Sequence, residues 1–228
     1  MTRTVLQDKL IRQKQYIDSI KFYLDRTNLP VLFVENSGND LSDSFIEEIK
    51  NERLEILTFE GNDFDRSLGK GFGEMLIIEK ATFDSRLFAE ADFVFKITGR
   101  YKVLNINSYI DYCSKNQSID LLVNFKPELS WADSRFWGAN INFFKDSLLK
   151  HKDSVNDSRS VYFEHVLSTA VHESIIEGYN YSGLYNYPRF SGFRGTDNSR
   201  INDSWLYWIL KQLLYKVLIW IQNIFQIR

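Results

Sequence analysis

The run ADFVFKITGRYKVLNI, Ala91 to Ile106, sets Lys96 inside the apolar stretch Phe93-Val94-Phe95-Ile97 and closes it on Thr98-Gly99-Arg100. An ammonium in a buried strand needs a carboxylate or an anionic ligand, because an unpaired charge is costly to remove from water. Strand alternation puts Lys96, Thr98 and Arg100 on one side. A lysine point charge, a guanidinium fork and a glycine that admits close backbone approach suit a phosphate. An internal salt bridge from Lys96 to a carboxylate is the competing reading.

Three further groups could do chemistry. Trp131-Ala132-Asp133-Ser134-Arg135-Phe136-Trp137-Gly138 mixes ring faces with charged tips, as a sugar-binding wall does, with Asp133 and Arg135 on the hydroxyls. A core edge would use the same residues. In Val161-Tyr162-Phe163-Glu164-His165-Val166-Leu167, burial would raise the pKa of Glu164 and suit it to general-base work; a satisfied structural glutamate is the alternative. His165 and His172 stand seven apart, too far for an easy shared metal site, and no metal ligand is named. Gly69-Lys70-Gly71-Phe72-Gly73 has the glycines of a phosphate loop without Walker A spacing, and reads more readily as a helix entry.

The elements that must position these residues follow from composition and periodicity. With 228 residues, 44% hydrophobic and 15% aromatic, the chain can bury one sizeable core. A formal net charge of -2 excludes a general nucleic-acid binder. One cysteine, Cys113, allows no intramolecular disulfide, which suggests a reducing compartment and a buried structural thiol. The first residues, MTRTVLQDKLIRQKQY, carry no signal-peptide core. Helical spacing from Val5 to Leu24 is followed by Pro30, a strand Val31 to Val34, a helix Leu41 to Lys50 and a strand Leu54 to Phe59. The GKGFG helix then runs to about Thr82, and the Lys96 strand, a short helix Asn107 to Cys113 and a strand Ile119 to Phe125 complete the series. Buried strands joined by helices imply an α/β fold, a mixed sheet flanked by helices, with ligands at the carboxyl ends of the strands.

A strand ending in ENSG, the GKGFGE helix entry, ADFVFKITGRY, an Asp-Arg-Phe segment, YFEH and FSGFRGT together resemble bacterial GT-A-type glycosyltransferases of capsule and O-antigen polysaccharide biosynthesis. The similarity spans most of residues 16 to 200, and KITGRY is its most specific part. It implies a Rossmann-like nucleotide-sugar half joined to an acceptor half in one continuous sheet. Such enzymes place an Asp-x-Asp motif, which holds Mn or Mg on the donor diphosphate, where this chain has Thr98-Gly99-Arg100. The expectation is metal-independent or weakly metal-dependent transfer, with Lys96, Thr98, Gly99, Arg100 and Arg194 on the phosphates; Arg194 closes over the donor in its glycine-rich loop. Glu164 takes the place of the base of inverting members. The family also opens with a strand that contacts the nucleobase, whereas this sequence starts a few residues before its first helix. An upstream start, a vestigial strand at Thr2 to Val5, and an inactive relative are the three readings of that departure.

The segment DSWLYWILKQLLYKVLIWIQNIFQIR gathers Lys211, Gln212, Tyr215, Lys216, Gln222, Asn223 and Gln226 on one arc, interrupted by Ile219 and Trp208. Its wide apolar face, with tryptophans and lysines at the boundary, suits a helix lying in a membrane surface, and its amides and lysines oppose a span. Docking on the protein core is the alternative. The expectation is therefore a glycosyltransferase domain, residues 1–203, and a membrane-associating helix, residues 204–228. The enzyme would be cytoplasmic, peripheral on the inner face of the membrane, and would move a sugar from a nucleotide-sugar donor to a lipid-linked or oligosaccharide acceptor. The rival is a non-catalytic scaffold of the same shape.

Overall fold

The structure, a computed structural model, describes residues 8–194 and 198–226, with side chains to residue 217. In chain order, helix α1 (Lys9–Arg26) leads to strand β1 (Val31–Glu35), α2 (Ile46–Lys50), β2 (Leu54–Thr58), α3 (Gly69–Asp84), α4 (Arg86–Ala89) and β3 (Phe93–Ile97). Then come β4 (Tyr101–Val103), α5 (Ile106–Lys115), β5 (Leu121–Leu122), β6 (Phe136–Asn140), α6 (Phe163–Ile176), β7 (Tyr181–Ser182), β8 (Phe190–Phe193), β9 (Arg200–Asn202) and α7 (Trp205–Gln226). The fold is α/β with mixed sheets and helices.

The strands form three sheets. β1 and β2 pair in parallel, β3-β6-β5-β7 is a mixed sheet, and β4-β8-β9 is antiparallel. One continuous sheet was the expectation; among the described residues no backbone hydrogen bond joins β1 to β3, so the sheet is interrupted there.

Local differences have local causes. The helix expected over Leu41 to Lys50 breaks because Leu41 and Phe45 turn into the core: a single 3-10 turn, Ser42–Ser44, precedes α2. α1 is described from Lys9, and the first residues of the expected helix, Val5 to Gln7, lie outside the described residues. Asp8 caps it, accepting from the amides of Leu10 and Ile11 at 2.9 and 3.1 Å. The expected strand Ile119 to Phe125 keeps two ladder residues and a bridge from Phe125 to Ala132. Residues Thr2 to Val5 lie outside the described residues.

The largest core joins α3, β6 and α6 through Met75, Ile78, Trp137, Phe144, Phe163 and Leu167. A second surrounds Tyr109, Phe136 and Phe190, and a third packs α1 on β1 through Ile20 and Phe33. These cores hold β3, with Lys96, between α3 on one face and α5 on the other.

Candidate functional site

A cleft of about 1220 Å3 lies between β1 and β3 and is lined past both ends of the two strands, and the mouth at their carboxyl ends is the side where open α/β sheets take ligands. Its mouth carries Asn36, Asn62, Arg66, Lys70, Thr98 and Gly99. Arg66 and Lys70 are exposed, and among the described residues no ion pair holds either of them.

Lys96 points from β3 toward α3 and forms an ion pair with Glu74. Its Nζ also donates to the Ser134 carbonyl at 2.8 Å and, weakly, to Thr98 Oγ1 at 3.4 Å. The competing reading of the sequence, an internal salt bridge, describes this geometry. Ser134 Oγ donates to Glu164 Oε1 at 2.8 Å. Glu74, Lys96, Ser134 and Glu164 thus form one polar chain running from the cleft wall to the start of α6. Burial pushes the Glu164 carboxyl above its ordinary range; the Ser134 hydrogen bond opposes the rise, Glu74 adds to it and Lys96 reduces it. A half-buried carboxylate with a raised pKa and a hydroxyl partner has the properties of a general base.

Strand alternation does not extend to Arg100. β3 ends at Ile97, and a turn closed by the Tyr101 amide on the Thr98 carbonyl, 2.9 Å, swings Arg100 to the opposite side. There it is 7% exposed, and its fork donates to Gln15 Oε1 at 2.9 Å, Asn198 Oδ1 at 3.3 Å and the Arg194 carbonyl at 3.2 Å. Its charge is committed to tying α1 to the chain beyond β8, away from the cleft mouth. Arg194 itself is exposed at the end of β8, and residues 195–197 of its loop lie outside the described residues.

Asp133 and Arg135 bind each other. The Arg135 guanidinium spans the Asp133 carboxylate with contacts of 2.9 and 2.6 Å and sits 4.6 Å over the Phe190 ring. Burial works against the Arg135 charge, yet Asp133 holds its pKa above the ordinary value. The pair stays partly accessible beside Tyr101 and Tyr187, so it remains able to meet a hydroxyl.

The GKGFG segment is a helix entry. Gly69 has φ +83°, and a Cβ there would overlap the Asp157 carboxylate. Asp157 Oδ2 accepts from the Lys70 amide at 3.0 Å, so the amino end of α3 already faces an anion of the protein. Glu35, which ends β1, likewise closes its own loop, accepting from the Ser37 amide at 2.7 Å and the Asn39 amide at 3.0 Å.

Sequence reasoning missed Asn36, Asn62 and Arg66. Asn36 and Asn62 are unremarkable loop residues, brought together beyond the β1–β2 pair where Asn62 Nδ2 donates to the Asn36 carbonyl at 2.7 Å, and Arg66 opens a short 3-10 turn. As for a divalent cation, no three His, Cys, Asp or Glu side chains come together among the described residues.

No helix among the described residues is long and apolar enough to cross a membrane. α7 meets the body with its polar side. Trp208 Nε1 donates to the Tyr187 carbonyl at 2.8 Å, Gln212 Nε2 to Asn186 Oδ1 at 2.7 Å, and Tyr215 hydroxyl to the Leu184 carbonyl at 2.5 Å. Trp205, Leu206, Leu210, Leu213, Leu214 and Val217 face outward, each more than half exposed.

No family model, curated protein or solved structure matches this chain.

Proposed function

We propose that the chain is a glycosyltransferase that uses a nucleotide-sugar donor in surface polysaccharide assembly, and that α7 rests on the cytoplasmic face of the membrane where a lipid-linked saccharide acceptor is presented. The observation that carries the reading is the cleft mouth at the carboxyl ends of β1 and β3, lined by Arg66 and Lys70, which among the described residues form no ion pair, together with the Lys96–Glu74 pair. Ligands of open α/β sheets sit at such ends. Arg66 and Lys70 neutralise the diphosphate, and Thr98 and Gly99 bring hydroxyl and backbone close to it. Glu164 takes the proton of the acceptor hydroxyl as its oxygen attacks the anomeric carbon, and the departing nucleoside diphosphate leaves with the bonding pair. Asp133 and Arg135 orient sugar hydroxyls.

The commitment of Arg100 to internal partners favours a second reading, a non-catalytic scaffold that keeps the shape and the membrane helix. Calorimetric titration with a panel of nucleotides and nucleotide sugars, with manganese or with EDTA, separates the two. Saturable binding of one nucleotide sugar, weakened about tenfold or more in Arg66→Ala and Lys70→Ala proteins of unchanged melting temperature, supports transfer. No binding by the folded wild type to any member supports the scaffold.

A further inference from the structure

Among the described residues, β1 and β3 present unpaired peptide groups to the two sides of the cleft. In the β1–β2 ladder the Val31 amide donates to the Arg53 carbonyl and the Glu35 carbonyl accepts from Phe59. Val31, Phe33 and Glu35 therefore face β2, and Leu32 and Val34 turn their N–H and C=O groups into the cleft. The Thr98 amide on the Arg135 carbonyl sets the phase of the β3–β6 ladder, which commits Val94 and Lys96 to β6. Phe93, Phe95 and Ile97 then turn theirs into the same cleft.

The two edges run in the same direction. Glu55, near the start of β2, accepts from the amides of Arg86 and Leu87, just ahead of β3, while Gly99, just after β3, lies under Tyr16 and Phe33. The side-chain layers match as well. Leu32 and Val94 pack on the α3 core, and Phe33 packs on α1.

We infer that the cleft takes one extended peptide strand from a separate polypeptide, inserted parallel to β1 and β3. Two facing rows of peptide N–H and C=O groups are met together only by a strand, and an apolar small molecule would leave both rows unpaired. Both flanking strands have five residues, which sets the length of the insert. Helices cover both faces, through Ile20 and Tyr23 on one side and Ile77 and Ile78 on the other, so its side chains are mainly apolar, with the Lys96–Glu74 pair the polar exception near the carboxyl end. Charge complementarity fixes the ends: Asp92, next to a Glu90 already paired with Arg86, lines the entry beside the amino end of β3, and Arg66 and Lys70 line the exit. The insert is therefore preceded by a basic residue and followed by an acidic one. This inference shares the cleft and its residues Arg66 and Lys70 with the transfer reading but does not rest on it: the edge rows of β1 and β3 carry it, and amide exchange reads it without donor or turnover.

Amide hydrogen exchange on the full 228-residue chain tests it. The probe is a synthetic peptide of five alternating valines and isoleucines between an amino-terminal lysine pair and a carboxy-terminal aspartate pair. Its control carries proline at the central position. In the monomer without peptide, the amides of Leu32, Val34, Phe93, Phe95 and Ile97 exchange fast, while those of Val94 and Lys96, bonded to β6, are slow. Saturating peptide slows the five edge amides about tenfold or more, and the proline control does not. Edge amides indifferent to the peptide overturn the inference. Edge amides already slow in the monomer, which would show the chain filling its own cleft, overturn it too, as would slowing seen only in a dimer.

Discussion

Ser134 links the two halves of the candidate site: its hydroxyl donates to Glu164 Oε1 at 2.8 Å while its carbonyl accepts from Lys96 Nζ at 2.8 Å. A single residue just ahead of β6 thus sets the position of the carboxylate on α6 and of the ammonium on β3. The Glu164 carboxyl is held above its ordinary pKa mainly by burial, so the folded state binds the proton more tightly than the unfolded chain does. Its contribution to stability is fully present below the unfolded value, about 4.3 for glutamate, and is lost as pH rises through the raised folded value. Glu164→Gln keeps an acceptor for Ser134 and cannot ionise. The melting temperature of Glu164→Gln minus that of wild type should grow with pH across that window and then level off. A difference that is flat across the window would show that Glu164 does not titrate from a raised pKa. In the transfer reading the same variant loses turnover while donor affinity is kept.

The Lys96–Glu74 pair is largely withdrawn from water, with side chains 14% and 27% exposed. Removing one partner of such a pair strands the other. Lys96→Met should cost about 2–4 kcal/mol, measured by urea denaturation, and Glu74→Gln in the same protein should restore much of the loss. If Lys96→Met unfolds at the wild-type midpoint, the pair is not structural. Lys96 would then be held for a ligand, which its position on the cleft wall allows.

Gly192 approaches the Arg100 carbonyl so closely that a Cβ at its position would lie 2.1 Å from that oxygen, and its φ is +135°. β8 can pair with β4 at this register only with glycine there. Gly192→Ala should destabilise by about 2 kcal/mol or more. Arg100→Lys should not restore what Arg100→Ala loses, because one ammonium cannot reach Gln15, Asn198 and the Arg194 carbonyl from a fixed fork. Equal midpoints for Arg100→Lys and wild type in urea would show that the fork geometry is unimportant.

The α/β class was legible because apolar runs such as Val31 to Val34 and Phe93 to Ile97 alternate with helical periodicity, and burial on both faces leaves few other foldings for them. The partner of Lys96 was legible only as a type, a carboxylate, since Glu74 stands 22 residues away and is brought there by the packing of α3 on β3. Arg100 misled because alternation holds only while a strand lasts, and the turn at Gly99 reversed its side. The gap between β1 and β3 could not be read from either strand: both have the composition of fully paired central strands, and pairing is a property of neighbours rather than of the run itself.

The outward face of α7 gives the last prediction. A helix that lies on its own protein usually buries its apolar side; here Gln212 is buried and bonded to Asn186 and the Tyr187 amide, while Leu206, Leu210 and Leu214 are 70%, 61% and 66% exposed. The polar arc expected at a water interface is partly used for docking, which fixes the apolar face outward without unfolding anything. Burying one leucine in an acyl boundary contributes about 1.5 kcal/mol or more, so Leu210→Glu with Leu214→Glu should weaken binding to phosphatidylglycerol vesicles by at least about a hundredfold. Melting temperature should not change, because neither side chain packs in a core of the body. Gln212→Ala should do the reverse, lowering the melting temperature while vesicle binding survives. Co-sedimentation reads both. Retained vesicle binding in the double glutamate variant would show that α7 does not present the protein to a membrane.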